Sequence, residues 1–250
     1  MVFDGAAALD GAARWPRAVL KISGEALASQ ASDETIDAPT VRRIAREIAE
    51  TVAETRVELA VMIGGGNIWR GQTGAGEGMD RATSDTMGML GTVINALALQ
   101  DAIELEGQQT RVLSAIAMPE VCEPYVRRRA IRHLEKGRVV IFAAGMGRPF
   151  FTTDTPAALR AAEIDANAVL KGTHSGVNGV YSEDPRKNPE ATLFEQVSFV
   201  EVMSKDLRVM DMTAITFCRD NNLPVLVFDL MTPGNIHGVL TGERIGTLIS

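Results

Sequence analysis

The chain has 250 residues, 46% of them hydrophobic and 23% charged, so a large buried core is within reach and global disorder is excluded. A formal net charge of −7 excludes a surface that coats nucleic acid; an anionic ligand must be held locally, by loops and a few placed cations. The two cysteines, Cys122 and Cys218, make neither a disulfide framework nor a metal pair, and no apolar run is long enough to cross a bilayer. These features lead us to expect a cytoplasmic protein with no membrane partner.

Residues 1–15 are rich in alanine, carry Asp4 and Asp10 and lack a basic stretch, so they read as a flexible extension rather than a signal peptide. Residues 16–250 then form one domain, with no internal repeat and no divisive linker. A strand is expected at 17–22, and a helix opens at Asp37-Ala-Pro39 and runs to about Thr55, with Asp37 as N-cap and Pro39 in the first turn. A buried strand at 57–63 runs into Gly64-Gly65-Gly66. The next pattern is a long helix from about Asp85 to Glu106, ended by Gly107. Strands at 110–114 and 138–143 flank a helix that follows Pro124. Asp154 is expected to cap a helix carrying Ala157 to Ile164, and a strand at 168–170 leads into a glycine-bearing loop. Ser198 and Glu201 make a capping box, a helix opens at Asp211, and strands at 225–229 and 246–249 close the chain. Such alternation of strands and helices is the signature of parallel βαβ units. The fold class is therefore α/β, a three-layer αβα sandwich on a mainly parallel sheet.

Four glycine-containing loops are expected after strands: Lys21-Ile-Ser-Gly24, Gly64-Gly-Gly-Asn67, Gly145-Met-Gly147 and Lys171-Gly172. In an open parallel sheet such loops line one crevice, where backbone N–H groups can approach phosphate oxygens. No Gly-Lys dipeptide occurs, so a P-loop is excluded, and neither His-Arg-Asp nor Asp-Phe-Gly is present. A dinucleotide turn fails as well, because Trp69 stands where a third glycine is needed.

Six motifs appear in order: Lys21-Ile-Ser-Gly-Glu-Ala-Leu27, Gly64-Gly-Gly-Asn-Ile-Trp-Arg-Gly71, Asp85-Thr-Met-Gly-Met-Leu90, Pro149-Phe-Phe-Thr-Thr-Asp154, Asn178-Gly-Val-Tyr-Ser-Glu-Asp-Pro185 and Leu207-Arg-Val-Met-Asp-Met-Thr-Ala214. Over about residues 17 to 250 this series resembles the bacterial uridylate kinases of the amino-acid-kinase family. The first two motifs are shared by the wider family, while Asp85-x-Met-Gly-Met and Phe-Phe-Thr-Thr-Asp resemble its UMP-specific branch.

The resemblance implies the amino-acid-kinase fold, transfer of a phosphoryl group from ATP to UMP in pyrimidine nucleotide biosynthesis, magnesium carried with ATP and no protein-held metal. It implies catalytic roles for Lys21, Arg70, Asp154 and Asp211. It places ATP against Lys21, Ile22, Ser23, Gly24, Gly66, Arg70, Thr173, Tyr181 and Asp184. UMP falls to Gly65, Asp85 and the cradle Met146, Gly147, Arg148, Pro149, Phe150, Phe151, Thr152 and Thr153. The cradle opens Met146-Gly-Arg148 where relatives usually have Thr-Gly-Asn. A phosphate acceptor needs no general base, so His133, His174 and His237 read as surface or loop residues. The resemblance also implies a homohexamer. Met87, Met89, Leu90, Ile94, Leu97 and Leu99 spread apolar surface around more of the long helix than one core face requires, which suits a dimer contact. Two rivals are weighed: a same-fold kinase for a carboxylate or carbamate, and a non-catalytic relative binding nucleotides or metal oxide. Asp85-x-Met-Gly-Met speaks against the first, and the joint retention of the four catalytic residues against the second.

Overall fold

The computed structural model describes residues 13–29, 33–76, 78–174, 176–207 and 209–250. The first half runs β1 (Arg17–Ile22), α1 (Ala38–Thr55), β2 (Glu58–Ile63), α2 (Gly71–Gly76), α3 (Arg81–Leu105), β3 (Thr110–Ser114), β4 (Glu123–Pro124), α4 (Arg127–Glu135) and β5 (Val139–Ala143). The second half adds α5 (Asp154–Glu163), β6 (Ala168–Thr173), β7 (Gln196–Val197), α6 (Phe199–Ser204), α7 (Met212–Asp220), β8 (Val225–Asp229), α8 (Asn235–Thr241) and β9 (Thr247–Ile249). All these strands join one sheet in the order β4-β3-β5-β2-β1-β6-β8-β9-β7. From β4 to β8 every neighbour is parallel; β9 runs antiparallel to β8 and carries β7 with it.

Period-2 alternation assigns each strand residue to one of two cores. Leu20, Ile22, Val61 and Ile63 pack with Ile44, Leu99, Ile103 and Val239, the apolar stripes of α1, α3 and α8. Val19, Met62, Phe142 and Val169 face the other way, onto Leu134, Ala158, Val202 and Ile215 of α4 to α7. The sandwich therefore has three layers, as the sequence pattern requires. Helix starts follow the capping chemistry: Asp37 accepts from Thr40 N at 2.8 Å, and Ser198 and Glu201 form the reciprocal box.

Four expectations are corrected. The long helix begins at Arg81, not Asp85, because Asp80 takes the cap by accepting from Thr83 N at 2.8 Å; Asp85 lies one turn inside and is no N-cap. Thr153 is the N-cap of α5, and Asp154 is its first helical residue. β6 continues through Lys171 and Gly172 to Thr173, so the fourth glycine loop is strand, with Lys171 and Gly172 paired to Lys21 and Ile22 of β1. His133 is buried rather than a surface residue, its Nε2 3.3 Å from Glu123 Oε2. Of the expected extension, residues 1–12 lie outside the described residues. At its end Trp15 is buried in the core and Arg14 N donates to Leu240 O at 2.8 Å.

Helix α3 fixes the loops that matter. Residues 85, 92 and 95 share one face of it, spaced seven and three apart. Thr92 Oγ1 accepts from Ala144 N at 2.6 Å beyond β5, and Asn95 Nδ2 donates to Gly64 O at 2.7 Å beyond β2. Gly65 must lack a side chain, since a Cβ there would sit 2.5 Å from Gly88 O on the same helix. Asn95 is fully buried and also donates to Asn67 Oδ1 at 2.7 Å. Replacing Asn95 by Leu should leave the Gly64 carbonyl unsatisfied and lower unfolding free energy by about 1–3 kcal/mol. Urea unfolding checks this, and an unmoved midpoint would mean that the loop is seated by other contacts.

Candidate active site

Parallel strands β1, β2, β5 and β6 all end at the same edge of the sheet, and the chain leaves each of the first three through a glycine turn. The crevice there has a volume of about 370 Å³. Its wall brings together Lys21, Ser23, Gly24, Gly65, Gly66, Arg70, Asp85, Met146, Arg148, Phe151, Thr152, Thr153, Asp154 and Asp211. Ile22 lies buried in the core behind them, and Gly147, Pro149 and Phe150 belong to the same 145–153 loop without lining the wall. Thr173, Tyr181 and Asp184 are not on this wall. Thr173 Oγ1 donates to Val177 O at 2.6 Å, Tyr181 bridges Leu193, and Asp184 holds Arg186 at 3.0 Å. A hollow of about 540 Å³ at the opposite strand ends contains Arg17 and Glu58, already paired with each other, and no glycine loop.

The electrostatic centre is Asp154. Lys21 shares a face with Val19, and Lys171 with Val169, so both ammonium groups emerge beneath the first turn of α5. Lys21 Nζ lies 3.0 Å from Asp154 Oδ1, and Lys171 Nζ lies 2.7 Å from Oδ2. Asp211 N also donates to Oδ2 at 3.3 Å, while the Asp211 carboxylate accepts from Thr152 Oγ1. Burial alone would raise the Asp154 carboxyl, but Lys21 and then Lys171 outweigh it and hold the group down at about 2. For Lys171 burial wins over the attraction of Asp154, and Lys21 pushes the same way, so its ammonium titrates below the usual lysine range. Two adjacent ammonium groups and one carboxylate form a buried floor, of which Lys21 and Asp154 line the crevice.

Lys171 escapes the sequence reading, which ends the strand at Leu170 and gives the lysine to a loop. A signal is present nonetheless: the alternation through Val169, continued by one more inward position, puts Lys171 on the same face and level with Lys21. His174 stands, as expected, in a loop, directly after β6. Its Nε2 lies 2.8 Å from Glu25 Oε2, and Glu25 pairs in turn with Arg70. Burial first, then the charges of Lys21, Arg70, Lys171 and Arg186, lower its imidazole below the ordinary value, so it sits inside the field of the crevice. Gly24 closes the same corner, because a Cβ there would lie 2.8 Å from both Gly64 O and Gly66 N.

Residues 16–229 match the family model described as the amino acid kinase family. The chain is 56% identical over 237 residues to the chloroplast uridylate kinase PUMPKIN of Arabidopsis thaliana, covering 94% of this chain and 69% of that protein. It superposes on the UMP kinase of Bacillus anthracis with a TM-score of 0.90 at 38% identity, covering 94% of this chain and 96% of that one. The UMP kinase of Ureaplasma parvum gives a TM-score of 0.87 at 39% identity, covering 94% and 98%.

The depressed Asp154 carboxyl sets a pH signature. Because its folded value lies below the unfolded 3.8, its stabilisation is present above that pH and lost as pH falls toward about 2. That share amounts to roughly 2 kcal/mol. Asp154→Asn should remove this part of the acid dependence and, by leaving two buried ammonium groups without their carboxylate, cost about 3–5 kcal/mol at neutral pH. Urea midpoints of both proteins across pH 2 to 7 test it; parallel curves would mean that Asp154 does not carry the acid transition.

Proposed function

Because this chain belongs to the amino acid kinase family, we infer from its relatives and its crevice that it is a uridylate kinase, a phosphotransferase acting on a nucleoside monophosphate. It transfers a phosphoryl group from ATP to UMP. The observation that carries the reading is the paired lysine floor, Lys21 and Lys171 on one buried Asp154, beneath three glycine turns.

The reaction joins two anions, and two unit charges 4 Å apart repel by roughly 4 kcal/mol at an effective dielectric of 20. The work of the protein is therefore positioning and charge neutralisation. We assign Lys21 and Lys171 to the transferred phosphoryl group, with Asp154 and Asp211 keeping the ammonium groups aimed and the floor rigid. The N–H groups of Gly24 and Gly66, with Arg70, serve the ATP phosphates. Thr173, Tyr181 and Asp184 serve its nucleoside, just outside the crevice wall. Gly65, Asp85 and the 146–153 loop hold UMP. The acceptor is already an oxyanion, so no side chain need act as general base.

Among the described residues no group of three or more His, Cys, Asp or Glu side chains gathers to hold a metal ion. Asp154 and Asp211 offer carboxylate oxygen, the donor magnesium prefers, and an ion held chiefly by nucleotide phosphates suits this set. When bound, magnesium supplies further neutralisation of phosphate charge. The product, UDP, places the enzyme in pyrimidine nucleotide biosynthesis. We assign it to the cytoplasm, where the free thiols Cys122 and Cys218 remain reduced.

ADP release should be fast with UMP and at least about a hundredfold slower with CMP, GMP, acetylglutamate or carbamate, the discrimination expected of a site built to hydrogen-bond one substrate. Lys21→Ala should lower kcat by about 2–4 kcal/mol of barrier with little change in KM for ATP, the mark of a charge acting on the transition state. Comparable kcat/KM for UMP and CMP would sink the assignment to UMP, and a variant within a few fold of wild type would sink the role of Lys21.

We also propose a homohexamer assembled from dimers through α3. Leu90 and Ile94 of that helix are 46% and 50% exposed, one turn apart, beside half-buried Leu97. Light scattering should give six copies at micromolar concentration, and Ile94→Asp should reduce that number; a monomeric wild type would refute the contact.

A further inference from the structure

We propose that Arg81 is a positioning residue for the acceptor's sugar: it aims the Asp85 carboxylate at the ribose hydroxyls and thereby sets ribose over deoxyribose selectivity. The inference rests on the reading of UMP as acceptor. Arg81 Nε donates to both Asp85 oxygens, at 2.9 and 2.8 Å, and Phe150 N donates to Oδ2 at 2.8 Å. The guanidinium also stands over the Phe150 ring, 5.8 Å from its centroid. Both Arg81 and Asp85 line the crevice.

This pair is badly placed if helix stability is its purpose. Arg81 is the first residue of α3, where a cation meets the positive end of the helix dipole. It also precedes its acidic partner by four residues, the less favourable order for such pairs. A carboxylate has about four lone-pair directions, so with two donor groups on it Asp85 keeps acceptor capacity, and it lines the crevice. Two neighbouring hydroxyl groups on a five-membered ring match that capacity.

Phe150 adds a second sign. Its φ of +73° lies in the left-handed region that a bulky residue avoids. Such a conformation persists only where contacts impose it, and Phe150 meets both members of the pair, Asp85 through its N–H and Arg81 through its ring. Arg81, Asp85 and Phe150 thus tie the first turn of α3 to the acceptor loop. Displacing the carboxylate would slacken the loop as well as the sugar contact.

The test uses the full chain at saturating ATP, with kcat and KM measured for UMP and 2′-deoxy-UMP. Wild type should favour UMP. Arg81→Ala should raise KM for UMP about tenfold, as expected for loss of one charge-assisted bond, with kcat changed little. Its UMP to deoxy-UMP ratio should shrink toward one, as should that of Asp85→Asn. Arg81→Lys, which keeps the charge without the Nε donor, should fall between, and it decides the matter if the alanine variant does not fold. A wild type indifferent to the sugar overturns the proposal. So does an unchanged ratio in both Arg81 variants while Asp85→Asn loses selectivity, or a KM for ATP rising in step with that for UMP. If wild type fails to phosphorylate UMP at all, the acceptor reading itself has failed, and that result is distinct from these.

Discussion

A single carboxylate shared by two buried ammonium groups is the constraint around which the structure is arranged. Lys21 and Lys171 stand level on adjacent parallel strands, and Asp154 enters from the first turn of α5 to meet both. Three ionised groups away from water are tolerable only if their geometry is held, since breaking such a set leaves an uncompensated charge. The surroundings hold it. β1 and β6 are central strands, α5 packs on them through Ala157, Ala158 and Ala161, and small side chains let the helix approach closely. The positive end of α5 also faces the Asp154 carboxylate, a further reason for an acid at the first helical position.

The opposite layer supplies reach rather than charge. α3 is 25 residues long and crosses the ends of β2 and β5, so one helix face can fix several loops at once. Thr92 and Asn95 each satisfy a backbone group that a glycine turn would otherwise leave unpaired in a dry setting. The same helix leaves Leu90 and Ile94 outside. Its inward face orders the crevice, so the hydrophobic pattern of this helix is broader than one core stripe.

Much of the fold was legible because it depends on local chemistry. Short β-branched runs marked the strands, Asp37, Ser198 and Gly107 marked helix ends, and the glycine turns pointed to a phosphate crevice. What failed to read did so for physical reasons. Asp80 and Asp85 both suit an N-cap, and only the bond to Thr83 N separates them. Lys171-Gly172 looks like a turn because glycine is rare inside strands; here it is needed where Leu230 packs within 2.9 Å of the missing Cβ. Arg81 has no motif at all, for its meaning lies in a contact with Phe150, far along the chain on the loop after β5. Least legible are the three residues the resemblance assigns to ATP's nucleoside, since Thr173, Tyr181 and Asp184 are engaged with Val177, Leu193 and Arg186 rather than lining the crevice.

The pairing pattern also explains how a protein of net charge −7 can select anions without a basic surface. On the crevice wall Lys21, Arg70 and Arg81 each meet a carboxylate, Asp154, Glu25 and Asp85. A phosphate that approaches Arg70 exchanges one anionic partner for another, so the Coulomb gain is partly cancelled by the carboxylate it displaces. Affinity then depends on fit: several phosphate oxygens must reach their donors together, and a stray anion reaching one donor gains little. The cancellation has a kinetic side. Products of phosphoryl transfer carry nearly the same total charge as the substrates, and a strongly positive crevice would retain them. Each of these three wall cations has a carboxylate to return to when an anion leaves, and Lys171 adds a second ammonium group on Asp154 behind them.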